Sequence, residues 1–145
     1  MQENKFTRLL LFKSWFYRKK IFLVSKTLDT VYQILFSCDI PSSIKIGKSS
    51  KFAHRGLGCV IHPRTIIGEG CKIFQHVTIG SRNGEGPPVL GNNVYIGAGA
   101  CILGEVNIGN NVKIGANSVV LNDVPDGSVV VGVPGRVINK TPTKQ

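Results

Sequence analysis

Residues 90–120 read LGNNVYIGAGACILGEVNIGNNVKIGANSVV, and a large aliphatic residue recurs in this stretch at every sixth position. The same period extends toward the N-terminus. The aliphatic positions are Ile40, Ile46, Ile61, Ile67, Ile73, Ile79, Leu90, Ile96, Ile102, Ile108, Ile114 and Val120. Glycine often follows them, and it relieves the backbone at a corner. Each repeat therefore predicts a short strand and a turn, with three repeats closing a coil around a prism-shaped aliphatic interior. The repeats suffice for about five coils.

The composition of the chain changes near Ile46. All 17 glycines lie at Gly47 or later, whereas eight of the 11 aromatic residues precede it. Helical spacing of the early apolar residues predicts two helices around Arg18-Lys19-Lys20. A length of 145 residues fits one domain. We predict an N-terminal helical segment at 1–38, a repeat domain at 39–138 and a C-terminal tail at 139–145.

The overall composition excludes several classes of protein. With 42% apolar and 18% charged residues the chain should fold. The net charge is +10, but no basic stripe interleaved with aromatic residues follows residue 46, so nucleic acid is not an expected partner. No apolar run approaches the ~20 residues of a membrane span, which favours a cytoplasmic protein. The cysteines are far apart and predict reduced thiols without a metal site; they are Cys38, Cys59, Cys71 and Cys101.

Two interruptions of the repeat mark candidate functional loops. If Phe52 substitutes for an aliphatic residue, the step to Ile61 is nine residues and extrudes the segment 54–58 (HRGLG). The step from Ile79 to Leu90 is 11 residues and extrudes a loop within 81–88 (SRNGEGPP). An insertion in a solenoid must leave the stack, and such loops commonly carry function.

Five segments of the chain resemble the hexapeptide-repeat acyltransferases. They are DIPSSIKIG (39–47), FAHRGLGCVIHP (52–63), IFQHVTIG (73–80), the stretch from Val94 to Val120, and VPDGSVVVGVPGRVI (124–138). The resemblance is to the serine O-acetyltransferase-like branch, which includes acetyltransferases of capsule, exopolysaccharide and lipopolysaccharide assembly. It implies a left-handed parallel β-helix that forms a homotrimer, acetyl-CoA in the groove between subunits, no metal, and direct transfer to an acceptor hydroxyl.

The resemblance also implies a catalytic histidine. His54 aligns with the histidine that takes the acceptor's proton, a suitable role for an imidazole near neutral pH. His76 is the second candidate, because the repeat at Ile73 lies three repeats after Phe52 and should place it about one coil, ~5 Å, above His54. His76 could assist the base or contact the acceptor, or it could be a solvated histidine on the outer face. We interpret His62 as a turn residue.

Acetyl-CoA contacts carry over by motif position to Ala98, Ala116 and Arg136. Small side chains would let the donor approach the backbone, and an arginine can bind a phosphate of the nucleotide. The alanines are also simply small repeat residues. Asn122 stands where such proteins often have a basic residue.

Two departures from the serine acetyltransferases bear on the acceptor. Ala53 replaces the aspartate that precedes the catalytic histidine, and Pro87-Pro88-Val89 replaces a His-Pro-Lys sequence. We therefore predict an O-acetyltransferase that acts on a sugar hydroxyl in surface polysaccharide biosynthesis. The alternatives are a serine O-acetyltransferase, a non-catalytic trimeric scaffold, and an N-acetyltransferase acting on an amino sugar nucleotide.

The basic N-terminal helices allow two interpretations. Trp15, Phe16 and Tyr17 beside arginine and lysine could make peripheral contact with the inner membrane surface. The same aromatic residues could instead pack the helices against the open end of the β-helix and cover its edge. We favour the packing interpretation.

Overall fold

Two helices form a hairpin at the start of the computed structural model, which describes residues 5–140 and the side chains of 5–138. Helix α1 spans Lys5–Arg18 and helix α2 spans Phe22–Phe36, and neither contains glycine or proline. The helices are antiparallel, because the ring centroids of Phe6 and Phe36 lie 5.1 Å apart and those of Tyr17 and Phe22 lie 5.5 Å apart. Among the described residues, no helix combines the length and the apolar character needed to span a bilayer.

Fourteen short strands follow within the described residues. They are Lys45–Ile46 (β1), Lys51–Phe52 (β2), Val60–Ile61 (β3), Ile66–Ile67 (β4), Lys72–Ile73 (β5), Thr78–Gly80 (β6), Val89–Leu90 (β7), Tyr95–Ile96 (β8), Cys101–Leu103 (β9), Asn107–Ile108 (β10), Lys113–Ile114 (β11), Val119–Val120 (β12), Ser128–Val131 (β13) and Arg136–Lys140 (β14). A 3-10 turn, Ala53–Gly56, separates β2 from β3. Residues 141–145 of the predicted tail lie outside the described part of the chain.

Every third strand pairs in parallel, which produces a prism with three faces. Sheet 1 has the order β1-β4-β7-β10, sheet 2 contains β2-β5-β8-β11-β13, and sheet 3 has the order β3-β6-β9-β12. Strand β14 adds to sheet 2 in the antiparallel direction. We call the edge where the chain passes from sheet 2 to sheet 3 the 2/3 corner.

The parallel coils number about four, so the prediction of about five was wrong. After Val120 the chain forms one isolated bridge, between Val124 and Ile108, and then strand β13. It reverses into β14, which pairs with β13 instead of starting another coil. The residues after Val120 therefore close the end of the prism.

The predicted aliphatic ladder is the core of the β-helix. Phe52, Ile73, Ile96, Ile114 and Val130 stack in register in sheet 2 and are at most 2% exposed. Burying one such side chain contributes about 1.5–3 kcal/mol. The other positions of the ladder are also buried, except that one near the open end, Ile46, is only half-buried.

Helix α1 covers the open end of the prism. Phe6 and Leu10 are buried, and the Phe6 ring lies 6.5 Å from that of Phe52. The packing interpretation therefore holds for the helix, but through other residues than expected, because Trp15 and Tyr17 are 44% and 40% exposed.

Candidate functional site

The nine-residue step produces a tight turn that carries His54 at the 2/3 corner. His54 and Arg55 have left-handed φ values of 49° and 57°, and both side chains are exposed. Left-handed backbone costs a non-glycine residue roughly 1–2 kcal/mol. The His54 carbonyl accepts a hydrogen bond from the Leu57 N–H at 3.2 Å. At Gly56 a Cβ atom would lie 2.9 Å from the Ile40 side chain, so the turn packs closely on the first coil.

The His76 ring lies against the exit of this turn. Its backbone N–H donates to the Leu57 carbonyl at 2.8 Å, and a Cβ at Gly58 would overlap the ring. His76 occupies a left-handed turn position, with φ 58°, that Gly99 and Asn117 occupy at the same corner of later coils. His76 lies in the coil next to that of His54. It follows its strand residue Ile73 by three positions, whereas His54 follows the paired Phe52 by two.

Gln75 follows Ile73 by two residues, as His54 follows its strand partner Phe52 by two. The residues two positions after the paired inward residues lie one after another at the 2/3 corner. This line, which we call the corner line, consists of His54, Gln75, Ala98 and Ala116. His54 lies there in the extruded turn, and Leu57 takes the place below Gln75 in the backbone ladder. Sequence reasoning missed Gln75, whose Oε1 atom is buried and has no hydrogen-bond partner within the described residues.

The two alanines of the corner line lie where the backbone of successive coils is close. The Asn117 N–H donates to the Ala98 carbonyl at 2.9 Å. A Cβ at Gly97 would lie 2.5 Å from the Ala116 nitrogen. Ala98 is half-buried and Ala116 is exposed, so both border the surface.

Arg136 lies beyond the end of the corner line. It is exposed and pairs with Val131, the last residue of β13, which ends at the same corner. The structure therefore brings Arg136 to the 2/3 corner together with the two alanines. Asn122 instead follows β12, where the chain leaves sheet 3 for another corner.

Two aromatic rings and a lysine support the His54 side chain. The His54 ring centroid lies 6.4 Å from that of Phe74, and the Phe74 ring lies 5.2 Å from Tyr95. The Lys72 ammonium is 4.7 Å from the centroid of Phe74 and 5.8 Å from that of Tyr95. Phe74 follows an inward residue directly, a position that is often glycine, and this exception was the signal available in the sequence.

His54 also borders two grooves next to the helical hairpin. One, of about 470 Å³, has cations from Lys5 and Arg55 and apolar walls from Phe6, Leu9 and Phe36. The other, of about 340 Å³, lies between the end of α2 and Leu57. The site can therefore take a small molecule and offers positive charge beside the imidazole.

The second extruded loop does not reach His54 within this chain. It connects β6 of sheet 3 to β7 of sheet 1 and so leaves the prism at a different corner. There the Glu85 N–H donates to the Arg82 carbonyl at 2.8 Å. His62 has a different role from His54. Its Nδ1 accepts a hydrogen bond from the Arg64 N–H at 3.2 Å, which agrees with its interpretation as a turn residue.

The cysteines lie in the prism wall as free thiols. Burial raises the pKa of the Cys59 thiol to about 11, and its Sγ donates to the Phe74 carbonyl at 3.2 Å. Burial also raises the pKa of the Cys71 thiol. Within residues 5–140 no cluster of three His, Cys, Asp or Glu side chains is arranged to hold a metal ion.

Comparison with known proteins shows what this chain is similar to. Residues 87–122 match the family model described as bacterial transferase hexapeptide, six repeats. A serine acetyltransferase of Synechococcus elongatus is 41% identical over 130 residues, which is 88% of this chain and 53% of the relative.

Solved structures give the same relationship. A serine acetyltransferase in complex with CoA has a TM-score of 0.84 at 33% identity, covering 92% of this chain and 55% of that one. Soybean serine acetyltransferase complexed with serine has a TM-score of 0.85 at 34% identity, covering 92% and 56%. The chain spans about half the length of the relatives that it matches.

These findings correct the predicted acceptor. The prediction of a sugar O-acetyltransferase was wrong, because the similarity to serine acetyltransferases extends over most of the chain. A glycan acceptor, a role in polysaccharide biosynthesis and the polysaccharide branch of the family have no support. Ala53 and Pro87-Pro88-Val89 do not outweigh this similarity, because differences at so few positions leave the β-helix intact.

The predicted fold, a left-handed parallel β-helix of hexapeptide repeats after a short helical segment, is confirmed. Its repeats, its matching family model and its relatives agree. Residues 87–122 carry the repeats of the bacterial hexapeptide transferases, and serine acetyltransferases are homologues of the chain over about half of their length.

Proposed function

We propose that this chain catalyses acetyl transfer from acetyl-CoA to the hydroxyl of serine. The observation that carries the proposal is the corner line, which joins a histidine in a repeat-breaking turn to a row of small residues. The relatives named serine acetyltransferase, and their complexes with CoA and with serine, support the choice of donor and acceptor.

His54 is the proposed general base. It takes the proton from the serine Oγ while this oxygen attacks the carbonyl carbon of the acetyl thioester. The C–S bond then breaks, CoA leaves as a thiolate, and the imidazolium returns the proton to the sulfur. The products are O-acetylserine and CoA. A thioester is reactive enough that the step needs no metal, and a positioned base typically contributes about 10²–10⁴ in rate.

Acetyl-CoA is proposed to lie along the corner line. Ala98 and Ala116 leave room for the pantetheine arm beside the backbone, and Arg136 provides a cation for a nucleotide phosphate. His76, beside the turn, is proposed to orient the base or contact the acceptor.

Serine is proposed to bind in the groove beside His54. Arg55 and Lys5 supply positive charge for its carboxylate. Replacing Arg55 with glutamine should raise the KM for serine more than it lowers kcat. A variant with unchanged KM for serine would remove Arg55 from the acceptor site.

The proposed assembly is a homotrimer with acetyl-CoA between neighbouring subunits. Exposed apolar side chains on the outer faces of the prism support it, namely Val60 at 47%, Ile66 at 38% and Val89 at 40%. The proposed location is the cytoplasm, where acetyl-CoA is made and where the free thiols would stay reduced.

The test is thiol release from acetyl-CoA with L-serine, measured for the wild type, His54→Ala and His62→Ala. His62→Ala is the matched control, because it removes a histidine whose observed role is in a turn. Loss of about 10²–10⁴ in rate is expected for His54→Ala only. Full activity of His54→Ala would refute the base. No serine-dependent release by the wild type would refute the function and favour a non-catalytic scaffold.

A further inference from the structure

The outward side of helix α2 is an exposed apolar surface. Leu23 is 81% exposed and Ile34 74%, on the side opposite to the buried residues Ser25 and Tyr32. Leu35, which is 68% exposed, lies at the edge of this side. We call Leu23, Val31, Ile34 and Leu35 the α2 strip. Single exposed apolar residues are ordinary, but several large ones on one side of a helix mark an interaction surface.

The polar residues within this surface, Thr27 and Thr30, direct their hydroxyl hydrogens to the helix backbone. The Thr27 hydroxyl donates to the Leu23 carbonyl at 2.9 Å, and the Thr30 hydroxyl donates to the Lys26 carbonyl at 3.2 Å. Both hydroxyl hydrogens are therefore used by the helix itself. The surface can enter an apolar environment without breaking a hydrogen bond to another part of the chain.

Positive charge surrounds one end of the α2 strip. Residues 5–36 contain seven lysines and arginines and one acid, Asp29, which is bonded to Lys13 and Ser42. Arg18 ends α1, and Lys19 and Lys20 follow it in the loop just before α2. All three side chains are exposed.

An aromatic residue stands beside these cations. Trp15 is 44% exposed, and the Lys19 ammonium lies 6.0 Å from its ring centroid. Tryptophan and lysine at the end of an apolar helix are typical of a segment that lies in a membrane interface.

We propose that the helical hairpin docks on an anionic lipid surface. The α2 strip enters the boundary between headgroups and acyl chains, and Arg18, Lys19 and Lys20 meet lipid phosphates. A second copy of this chain fits the surface less well, because residues 5–36 offer no free carboxylate to meet these cations. The charge complementarity therefore favours lipid.

Trp15 is the single tryptophan of the chain and reports on the docking directly. The full chain is mixed with vesicles of phosphatidylcholine and phosphatidylserine, and with vesicles of phosphatidylcholine alone. We expect sedimentation with the anionic vesicles, a blue shift of Trp15 emission and protection from acrylamide quenching. Phosphatidylcholine alone should give much weaker binding.

Paired variants separate this contact from general electrostatic attraction. Lys19→Gln/Lys20→Gln should weaken binding by roughly thirtyfold, because each cation near an anionic surface contributes substantially. Lys48→Gln/Lys113→Gln removes the same charge from the β-helix and should change binding by less than about twofold. Leu23→Asn/Ile34→Asn should abolish the blue shift, and circular dichroism verifies that its fold is intact.

Several results would overturn the proposal. They are no binding to anionic vesicles, equal binding to both vesicle types, and equal loss in the two lysine pairs. A larger assembly that Leu23→Asn/Ile34→Asn dissociates, with Trp15 already shielded before lipid is added, would assign the strip to a second copy instead. None of these readouts involves acetyl transfer, so the outcome is independent of the proposed function.

Discussion

Replacing Asp29 with asparagine should leave the buried ammonium of Lys13 without a counter-charge and release the hairpin from the β-helix. Lys13 is 2% exposed, and its Nζ donates to Asp29 Oδ1 at 2.8 Å and to the Ile40 carbonyl. The same ammonium lies 5.0 Å from the Tyr32 ring centroid. Asp29 also accepts the Ser42 hydroxyl at 2.6 Å. These contacts join both helices to the first coil.

The expected cost follows from this burial. Removing one partner of a buried ion pair costs roughly 3–5 kcal/mol, mainly because the other charge stays buried and unpaired. The Asp29 side chain is 31% exposed, so we expect the low end, about 3 kcal/mol. The total free energy of unfolding of a small domain is about 5–15 kcal/mol. Lys13→Met/Asp29→Asn removes both charges and should lie within about 1 kcal/mol of the wild type.

Urea unfolding at one fixed protein concentration measures these differences. Trp15 fluorescence follows helix α1, and circular dichroism follows the whole chain, so early release of the hairpin would appear first in the fluorescence. A decrease of less than about 0.5 kcal/mol in the unfolding free energy of Asp29→Asn would contradict the role given to this ion pair, since ordinary surface substitutions have effects of that size. A double variant as unstable as the single one would contradict it equally.

Three further predictions concern single residues. Gly58→Ala should unfold at a lower temperature and displace His76, because residue 58 has φ 66° and its Cβ would overlap the His76 ring. Gly84→Ala is the control, because Gly84 has φ 81° and open space around it. Similar decreases in unfolding temperature for both variants would exclude a steric role for His76. Stability should fall between pH 9 and about 11, because burial raises the pKa of the Cys59 thiol from 9.0 to about 11 and the unfolded chain loses that proton first. Urea midpoints across this range should fall less steeply in Cys59→Ala. Arg136→Ala should raise the KM for acetyl-CoA more than it lowers kcat, and an unchanged KM would exclude the phosphate contact.

The fold was predictable because its constraint is local and repeated. Each inward position faces the same position of the next coil, so a large apolar residue is required there, as at Ile96 and Ile114. The number of coils could not be predicted in the same way. Val124 and Val130 are also aliphatic and buried, and nothing in their identity distinguishes a further coil from the chain reversal at β14.

The site was predictable where a residue breaks the period and hidden where it depends on register. His54 follows from the nine-residue step. Gln75 and Phe74 lie within an unbroken repeat, and their place in the coil next to His54 becomes visible only when Phe52 is paired with Ile73. The acceptor was misjudged because its recognition depends on side chains from separate coils and helices, which two substituted loop positions do not define.

The corner line also sets the direction in which a long donor would lie. From His54 to Gly132, the residue two positions after Val130, there are four strand spacings, or about 19 Å at roughly 4.8 Å each. The large polar side chains, His54 and Gln75, stand at one end, and small residues continue to the end bordered by Arg136. A thioester must meet the base, and a nucleotide phosphate must meet the cation. The proposed acetyl-CoA therefore has its acetyl group near the helical hairpin and its nucleotide near β14. This orientation places the acceptor between His54 and the hairpin, so release of the Lys13 contact should weaken binding of serine before it weakens binding of the donor.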